Sequence, residues 1–319
     1  MTDDNLSPES LAENAVYTLA ASPDFGCDQI CFAARATGLD RSNDGGLTWQ
    51  DAYTALELQT PLPTVTVALS PNFTHDRSVF AGAPGGILRS VDDGDTWSIA
   101  SLPTPPPFVS ALVISPNFEQ DGTLLAGTME DGIFRSADRG TSWAAWNFGL
   151  LDLNILCLAI SPNFANDETL FAGTDSGIFR STNGGRAWRE VDFSPDLAPV
   201  LSLAIAPNFS SDGILFAGTE AHGLFRADDG GQSWTAPGQE MLSGPINAIL
   251  LSPEFSTSAE LLVLTENGLF CSPDGGRSWD IRPAAAGLET QITTVVAPTG
   301  YTEKAMLLVG LFDGRVLRV

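Results

Sequence analysis

The 319-residue sequence predicts an all-β protein built from one repeated unit of about 45 residues, and three observations support this prediction. The first is the motif Ser-x-Asp-x-Gly-x-x-Trp, here called the box, whose six tryptophans lie 45 to 48 residues apart. The second is a motif of the type Ser-Pro-Asn-Phe, which precedes each box at a similar distance. The third is a set of short apolar runs between these motifs, bounded by Pro, Gly, Asn and Asp as buried strands are.

The strands of each unit follow in chain order. A run such as LCLAI (156–160) precedes Ser-Pro-Asn-Phe and predicts the first strand. Two runs separated by a glycine, as in LFAGTDSGIFRS (170–181), predict the second and third strands, and the box tryptophan marks the fourth. Four short strands in about 45 residues are typical of a β-propeller blade. First strands that start near Val16, Val65, Val109, Ile155, Leu201, Ile246 and Ile292 predict seven blades.

The seventh unit is incomplete. Its last residues, GRVLRV (314–319), correspond to a third strand, and no box follows them. Residues 2–14 are the available candidate for the missing fourth strand, although they are polar and have poor strand propensity. We therefore expect either a three-stranded last blade or closure by the N-terminal segment 1–15, with residues 16–319 forming a single propeller domain.

These motifs resemble the Asp-box, or BNR-repeat, propellers of sialidases, sortilin-type receptors, xyloglucan-cleaving glycoside hydrolases and photosystem II assembly-factor-like proteins. The resemblance covers nearly all of residues 16–319. It implies the fold and not the activity, because these relatives share the architecture while their functions differ.

The box itself is predicted to be structural. An active site occurs once in a ring, whereas the box occurs six times and tolerates substitution. We expect its acidic residue to accept hydrogen bonds from turn amides and its tryptophan to pack between blades. The residues concerned are Asp44, Trp49, Asp92, Trp97, Asp138, Trp143, Asn183, Trp188, Asp229, Trp234, Asp274 and Trp279.

The composition excludes several classes of function. A formal charge of −24 argues against nucleic-acid binding, and a single lysine, Lys304, leaves no polybasic membrane patch. The N-terminus has neither a signal-peptide pattern nor an apolar span, which predicts a cytoplasmic protein if Met1 is native. With only two histidines, His75 and His222, neither a His-rich metal site nor a cofactor is expected.

No catalytic residue is predicted. A sialidase would need three substrate-binding arginines and a Tyr/Glu pair, and the chain has only three tyrosines, none in such a motif. A glycoside hydrolase or lyase that uses a carboxylate pair in the central funnel remains the alternative, and divalent-cation binding by the turn carboxylates is a third possibility. The third strands carry a recurrent arginine that predicts a packing role, with an anion-binding ring as the other interpretation: Arg41, Arg89, Arg135, Arg180, Arg226 and Arg318.

The loops at the end of the propeller opposite the two motifs, here called the variable face, differ from unit to unit. Loops on a rigid scaffold are the usual carriers of recognition. Here they combine carboxylates with aromatic residues and contain few cations. This favours a non-catalytic protein-interaction scaffold whose protein partner contributes a basic segment. The predicted binding residues are Trp146, Phe148, Asp152, Asp192, Phe193, Glu130, Glu220, His222, Glu266 and Asp313.

Overall fold

The computed structural model describes residues 14–102, 107–194, 196, 198–282 and 290–319. Seven antiparallel sheets follow one another along the chain, each formed by strands that are neighbours in sequence. The first strand of every sheet contacts the first strand of the next, and the seventh contacts the first. The protein is therefore a seven-bladed β-propeller, with blades one to seven numbered in chain order.

Each blade begins at the central channel and runs outward. The inner strands are Val16–Ala21, Thr66–Leu69, Phe108–Ile114, Ile155–Ile160, Val200–Ile205, Ile246–Leu251 and Ile292–Val296. The second strands are Cys31–Arg35, Val79–Ala83, Leu124–Met129, Leu170–Thr174, Leu215–Thr219, Leu261–Thr265 and Leu308–Leu311. The third strands are Gly38–Ser42, Gly86–Ser90, Gly132–Ser136, Ile178–Ser181, Leu224–Ala227, Gly268–Ser272 and Val316–Arg318. The outer strands are Gln50–Asp51, Ser98–Ser101, Ala144–Ala145, Arg189–Glu190 and Asp280–Ile281.

Two blades have three strands in the part of the chain that the structure describes. In blade five a single bridge between Arg226 and Thr235 replaces the outer strand. Blade seven ends at its third strand. The backbone of Val319, which follows that strand, exchanges two hydrogen bonds with the backbone of Leu307. The candidate closing segment lies almost wholly in residues 1–13, outside the described residues.

One-turn helices, which the all-β prediction did not include, begin at the phenylalanine of the six motifs of the Ser-Pro-Asn-Phe type. They span Phe25–Asp28, Phe73–Asp76, Phe118–Asp121, Phe164–Asp167, Phe209–Asp212 and Phe255–Ser258, and a 3-10 turn covers Thr54–Leu56. In blade two, Asp76 accepts hydrogen bonds from the Ser70 hydroxyl at 2.6 Å and the Ser78 amide at 2.8 Å. This carboxylate therefore holds the turn that leads into the second strand.

Aromatic contacts between neighbouring blades form the core. The phenylalanine of a second strand meets the motif phenylalanine of the next blade edge to face, as Phe80 meets Phe118 at 5.8 Å and Phe171 meets Phe209 at 5.7 Å. All four side chains are buried. Each blade thus buries its apolar faces against its two neighbours, which is why the repeated unit is stable only within the ring.

Candidate functional site

Hydrogen bonds within the box occupy its polar groups. In blade one the Ser42 hydroxyl donates to Asp44 at 2.7 Å and accepts from the Gly46 amide at 2.8 Å. The hydroxyl and amide of Thr48 also donate to Asp44, at 2.6 and 2.9 Å. These bonds, led by the one from Thr48, hold the pKa of Asp44 well below its usual range. The carboxylate is therefore committed to the turn.

The box of blade four keeps this arrangement although it lacks the acid. The Asn183 side-chain oxygen accepts from the Ser181 hydroxyl and from the Ala187 amide, both at 2.9 Å. An amide oxygen can replace a carboxylate oxygen here because the turn requires only an acceptor.

Three of the recurrent arginines fasten their blade to the next. Arg180 donates to the Gly230 carbonyl at 3.1 Å, Arg226 donates to the Gly275 carbonyl at 2.6 Å, and Arg41 pairs with Asp95 at 2.7 Å. All three acceptors lie in the box of the following blade. These contacts confirm the predicted packing role for the three arginines.

The variable face exposes two large apolar side chains, Phe148 and Leu151, in the loop between blades three and four. Phe148 is 80% exposed and Leu151 is 79% exposed, whereas Leu150 between them is buried against Phe179 and Trp188. Large apolar side chains left in water beside a well-packed core are typical of a contact surface. We call these two residues the Phe148–Leu151 patch.

Side-chain hydrogen bonds tie the loop that carries the patch to its neighbours. Asn147 donates to the Asp131 carbonyl at 2.9 Å, and the Asn154 side chain accepts from the Glu130 amide at 2.9 Å. Asp152 accepts from the Ser176 amide at 2.8 Å. These bonds hold the loop against the two adjacent turns, so the patch is presented on a rigid base.

The same contacts define the charge around the patch. Glu130 is exposed in the turn of blade three, and the Asp175 carboxylate accepts from the Asn154 side chain at 2.9 Å. Partial burial would raise the pKa of Asp152, but hydrogen bonds from Asn154 and Ser176 outweigh burial and lower that pKa. The rim of the patch is therefore acidic.

Two predicted binding residues lie elsewhere. Phe193 is only 4% exposed and packs edge to face on Phe225 and Trp234, so the prediction that it contacts a partner is corrected: it belongs to the core. Trp146 is half-buried in the groove between blades three and four, with the Arg135 guanidinium 4.4 Å from its ring centroid. Its ring fills a seam between blades and does not project from the face.

The remaining predicted residues are spread over blades four to seven. Asp192, Glu220, His222 and Glu266 are exposed, whereas Asp313 is partly buried and accepts a hydrogen bond from Thr290 at 3.0 Å. They do not converge with Phe148. Sequence reasoning also missed Leu151, which the run Leu-Leu-Asp-Leu (150–153) signals as an unusually apolar stretch for a loop.

The channel wall offers little for catalysis. The seven inner strands contain no Asp, Glu, His, Lys or Arg. A carboxylate pair for bond cleavage would therefore have to come from the loops at the channel mouth. Within the described ranges, no cluster of three or more His, Cys, Asp or Glu side chains could hold a metal ion, and no helix is long and apolar enough to cross a bilayer.

Comparison with known proteins identifies the architecture. Residues 110–254 match the family model described as photosynthesis system II assembly factor YCF48. The structure titled YCF48 bound to D1 peptide is 17% identical with a TM-score of 0.70, over 96% of this chain and 93% of that one. YCF48 from Cyanidioschyzon merolae is 15% identical with a TM-score of 0.69, over 96% and 95%. No curated protein matches the chain.

Larger proteins share the same propeller. The GH74 xyloglucanase from Xanthomonas campestris is 16% identical with a TM-score of 0.71, over 94% of this chain and 51% of that one. The extracellular domain of a putative one component system from B. thetaiotaomicron is 15% identical with a TM-score of 0.69, over 95% and 38%. The chain thus spans about half or less of these proteins. It is a seven-bladed β-propeller that resembles the BNR-repeat propellers and, among them, the photosystem II assembly factor.

Proposed function

We propose that this protein is a non-catalytic interaction scaffold that binds a segment of a partner protein at the Phe148–Leu151 patch. The observation that carries the proposal is the 80% exposure of the Phe148 ring on a loop pinned by Asn147, Asp152 and Asn154. Burying one such side chain at an interface stabilises a complex by about 1.5–3 kcal/mol. Because the loop is already ordered, little conformational entropy opposes that gain.

The partner segment is proposed to be basic with an apolar anchor. Glu130, Asp152 and Asp175 lie in or beside the loop that carries the patch, and the protein as a whole carries a formal charge of −24. Such a field accelerates the association of cationic partners and disfavours anionic ones. A YCF48 propeller of nearly the same length has been solved with a D1 peptide, which supports peptide binding as a task for this architecture.

The proposal also covers the domain bounds and the location of the protein. We propose that residues 16–319 form the interaction domain, that residues 1–15 are an adjoining segment, and that the protein acts in the cytoplasm. The catalytic alternative has weaker support, because the inner strands supply no carboxylate to the funnel.

A capture experiment tests the proposal with a matched control. Immobilised wild type, the Phe148→Ser/Leu151→Ser variant and the Leu47→Ser variant are incubated with an extract of the source organism. Leu47 is 68% exposed in the box of blade one, at the opposite end of the ring, and so controls for the loss of a surface apolar group. We expect a protein that wild type and Leu47→Ser retain and the double variant loses. Equal retention by all three would contradict a binding site at the patch.

A further inference from the structure

A cleft of about 530 Å³ lies on the outer rim between blades four and five. Its walls include Arg180, Arg189 and Val191 of blade four and Gly231 and Gln232 of blade five. The volume falls within the range of about 300–1,000 Å³ that is usual for ligand pockets. Asp192, one of the predicted binding residues, also lines the cleft, which lies outside the Phe148–Leu151 patch.

In the preceding groove, between blades three and four, the corresponding place is filled by Trp146. Trp146 and Val191 each lie three residues after their box tryptophan. The Trp146 amide donates to the Ile133 carbonyl and the Val191 amide donates to the Ile178 carbonyl, both at 2.8 Å. They therefore occupy one position of the repeat. The Trp146 ring lies under two guanidinium groups, those of Arg135 at 4.4 Å and Arg186 at 5.6 Å.

The groove between blades four and five has residues at the equivalent wall positions, but no indole ring lies between them. Arg180 occupies the repeat position of Arg135, and Gln232 occupies that of Arg186. Arg180 is held in place on one side by the Phe171 ring at 5.5 Å and by its hydrogen bond to Gly230. A fixed guanidinium of this kind is a ready partner for the face of an aromatic ring.

Two further features distinguish this groove. Arg189 lies directly opposite Arg180 on the adjacent strand, and like charges in such a pair destabilise a sheet unless another group intervenes. The indole nitrogen of Trp234 is buried without a hydrogen-bond partner among the described residues. Its counterpart Trp188 donates to the carbonyl of Trp146 at 2.9 Å. The seam between blades four and five therefore lacks the indole hydrogen bond that is present in the seam before it.

We propose that this groove receives the aromatic side chain of a tryptophan or tyrosine from a partner protein, in the place that Trp146 takes one blade earlier. The electron-rich face of the ring complements the two guanidinium groups of Arg180 and Arg189. Val191, smaller than tryptophan, leaves the space for it. The site is separate from the Phe148–Leu151 patch and does not depend on it.

Peptide titration followed by amide NMR shifts tests the proposal. The probes are acetyl-Gly-Trp-Gly-amide, acetyl-Gly-Tyr-Gly-amide and, as the control, acetyl-Gly-Leu-Gly-amide, each at millimolar concentration. We expect the two aromatic peptides to shift the amides of Gly231 and Gln232, and the leucine peptide to leave them unchanged. Equal shifts with the leucine peptide would overturn the proposal.

The repeat supplies reciprocal variants. Val191→Trp places an indole in the groove and is expected to weaken binding of the tryptophan peptide at least tenfold, while Trp146→Val opens the preceding groove and adds shifts at Gly185 and Arg186. If Val191→Trp does not fold, Gln232→Trp covers the cleft from the exposed wall of blade five and carries the same expectation. Undiminished binding by a folded blocking variant would refute the assignment.

Discussion

Phe148 and Phe193 occupy the same position of successive repeats, five residues after the box tryptophan, yet Phe148 is 80% exposed and Phe193 is 4% exposed. In blade three, Leu150 packs against Phe179 and Trp188, and this leaves Phe148 outside. In blade four, Phe193 itself packs against Phe225 and Trp234. The exposure of Phe148 therefore does not leave a defect in the core.

This relationship predicts opposite responses to the same substitution. Phe193→Ala removes a buried ring and should lower the free energy of unfolding by about 3–5 kcal/mol. Phe148→Ala should change it by less than about 0.5 kcal/mol, because the ring is already in water. Urea unfolding of the two variants beside wild type measures the difference. A large loss of stability in Phe148→Ala would show that the patch serves the fold.

The pair also shows how far the sequence alone could lead. The spacing of Trp143 and Trp188 predicts the blades, and the alternation of motifs predicts which loops share a face. The repeat cannot show which apolar residue of a loop is taken into the seam with the next blade, because Leu150 and Phe193 fill that seam from different positions. The packing of Trp146 could not be predicted for the same reason, since it depends on Arg135 and on the box of the following blade.

The ring is closed by contacts between its first and last blades. The Thr293 hydroxyl in blade seven donates to the Val16 carbonyl in blade one, and Arg35 donates to the Gly314 carbonyl. Thr293→Val keeps the shape but leaves the Val16 carbonyl without this donor, so we expect a loss of about 1 kcal/mol in unfolding free energy. Thr302→Val at an exposed position is the control. Equal effects in the two variants, measured by thermal or urea unfolding, would contradict a closing role for Thr293.

The box carboxylates predict a stability that depends on acid pH. Hydrogen bonds, first among them that from the Ser142 hydroxyl, lower the pKa of Asp138 to about 2, compared with about 3.9 in an unfolded chain. Because the folded pKa is the lower one, the stabilisation is present above pH 4 and is lost as pH falls from about 4 towards 2.

Asp138→Asn tests this dependence, because Asn183 shows that the turn accepts an amide. We expect the variant to unfold more easily than wild type at pH 7 and to lose less stability between pH 4 and pH 2. The reverse substitution, Asn183→Asp, should steepen the loss over the same interval. Parallel stability curves for wild type and Asp138→Asn, followed by circular dichroism, would exclude a contribution from this carboxylate.

Charge around the Phe148–Leu151 patch should govern the rate of association more than the strength of the final complex. Glu130, which is exposed, and Asp131, which is partly buried, lie in the turn beside the loop that carries the patch, and such charges act at a distance through the ionic atmosphere. For a partner captured through the patch, Glu130→Gln/Asp131→Asn should slow association several-fold at low salt and by a negligible factor at 0.5 M salt. Phe148→Ser should instead speed dissociation at both salt concentrations, because it removes buried apolar contact.

Glu254→Gln/Glu303→Gln, which removes two exposed carboxylates from the opposite end of the ring, is the control for net charge. Surface plasmon resonance separates the two rates, and an equal slowing by both charge variants would assign the effect to net charge and not to the patch.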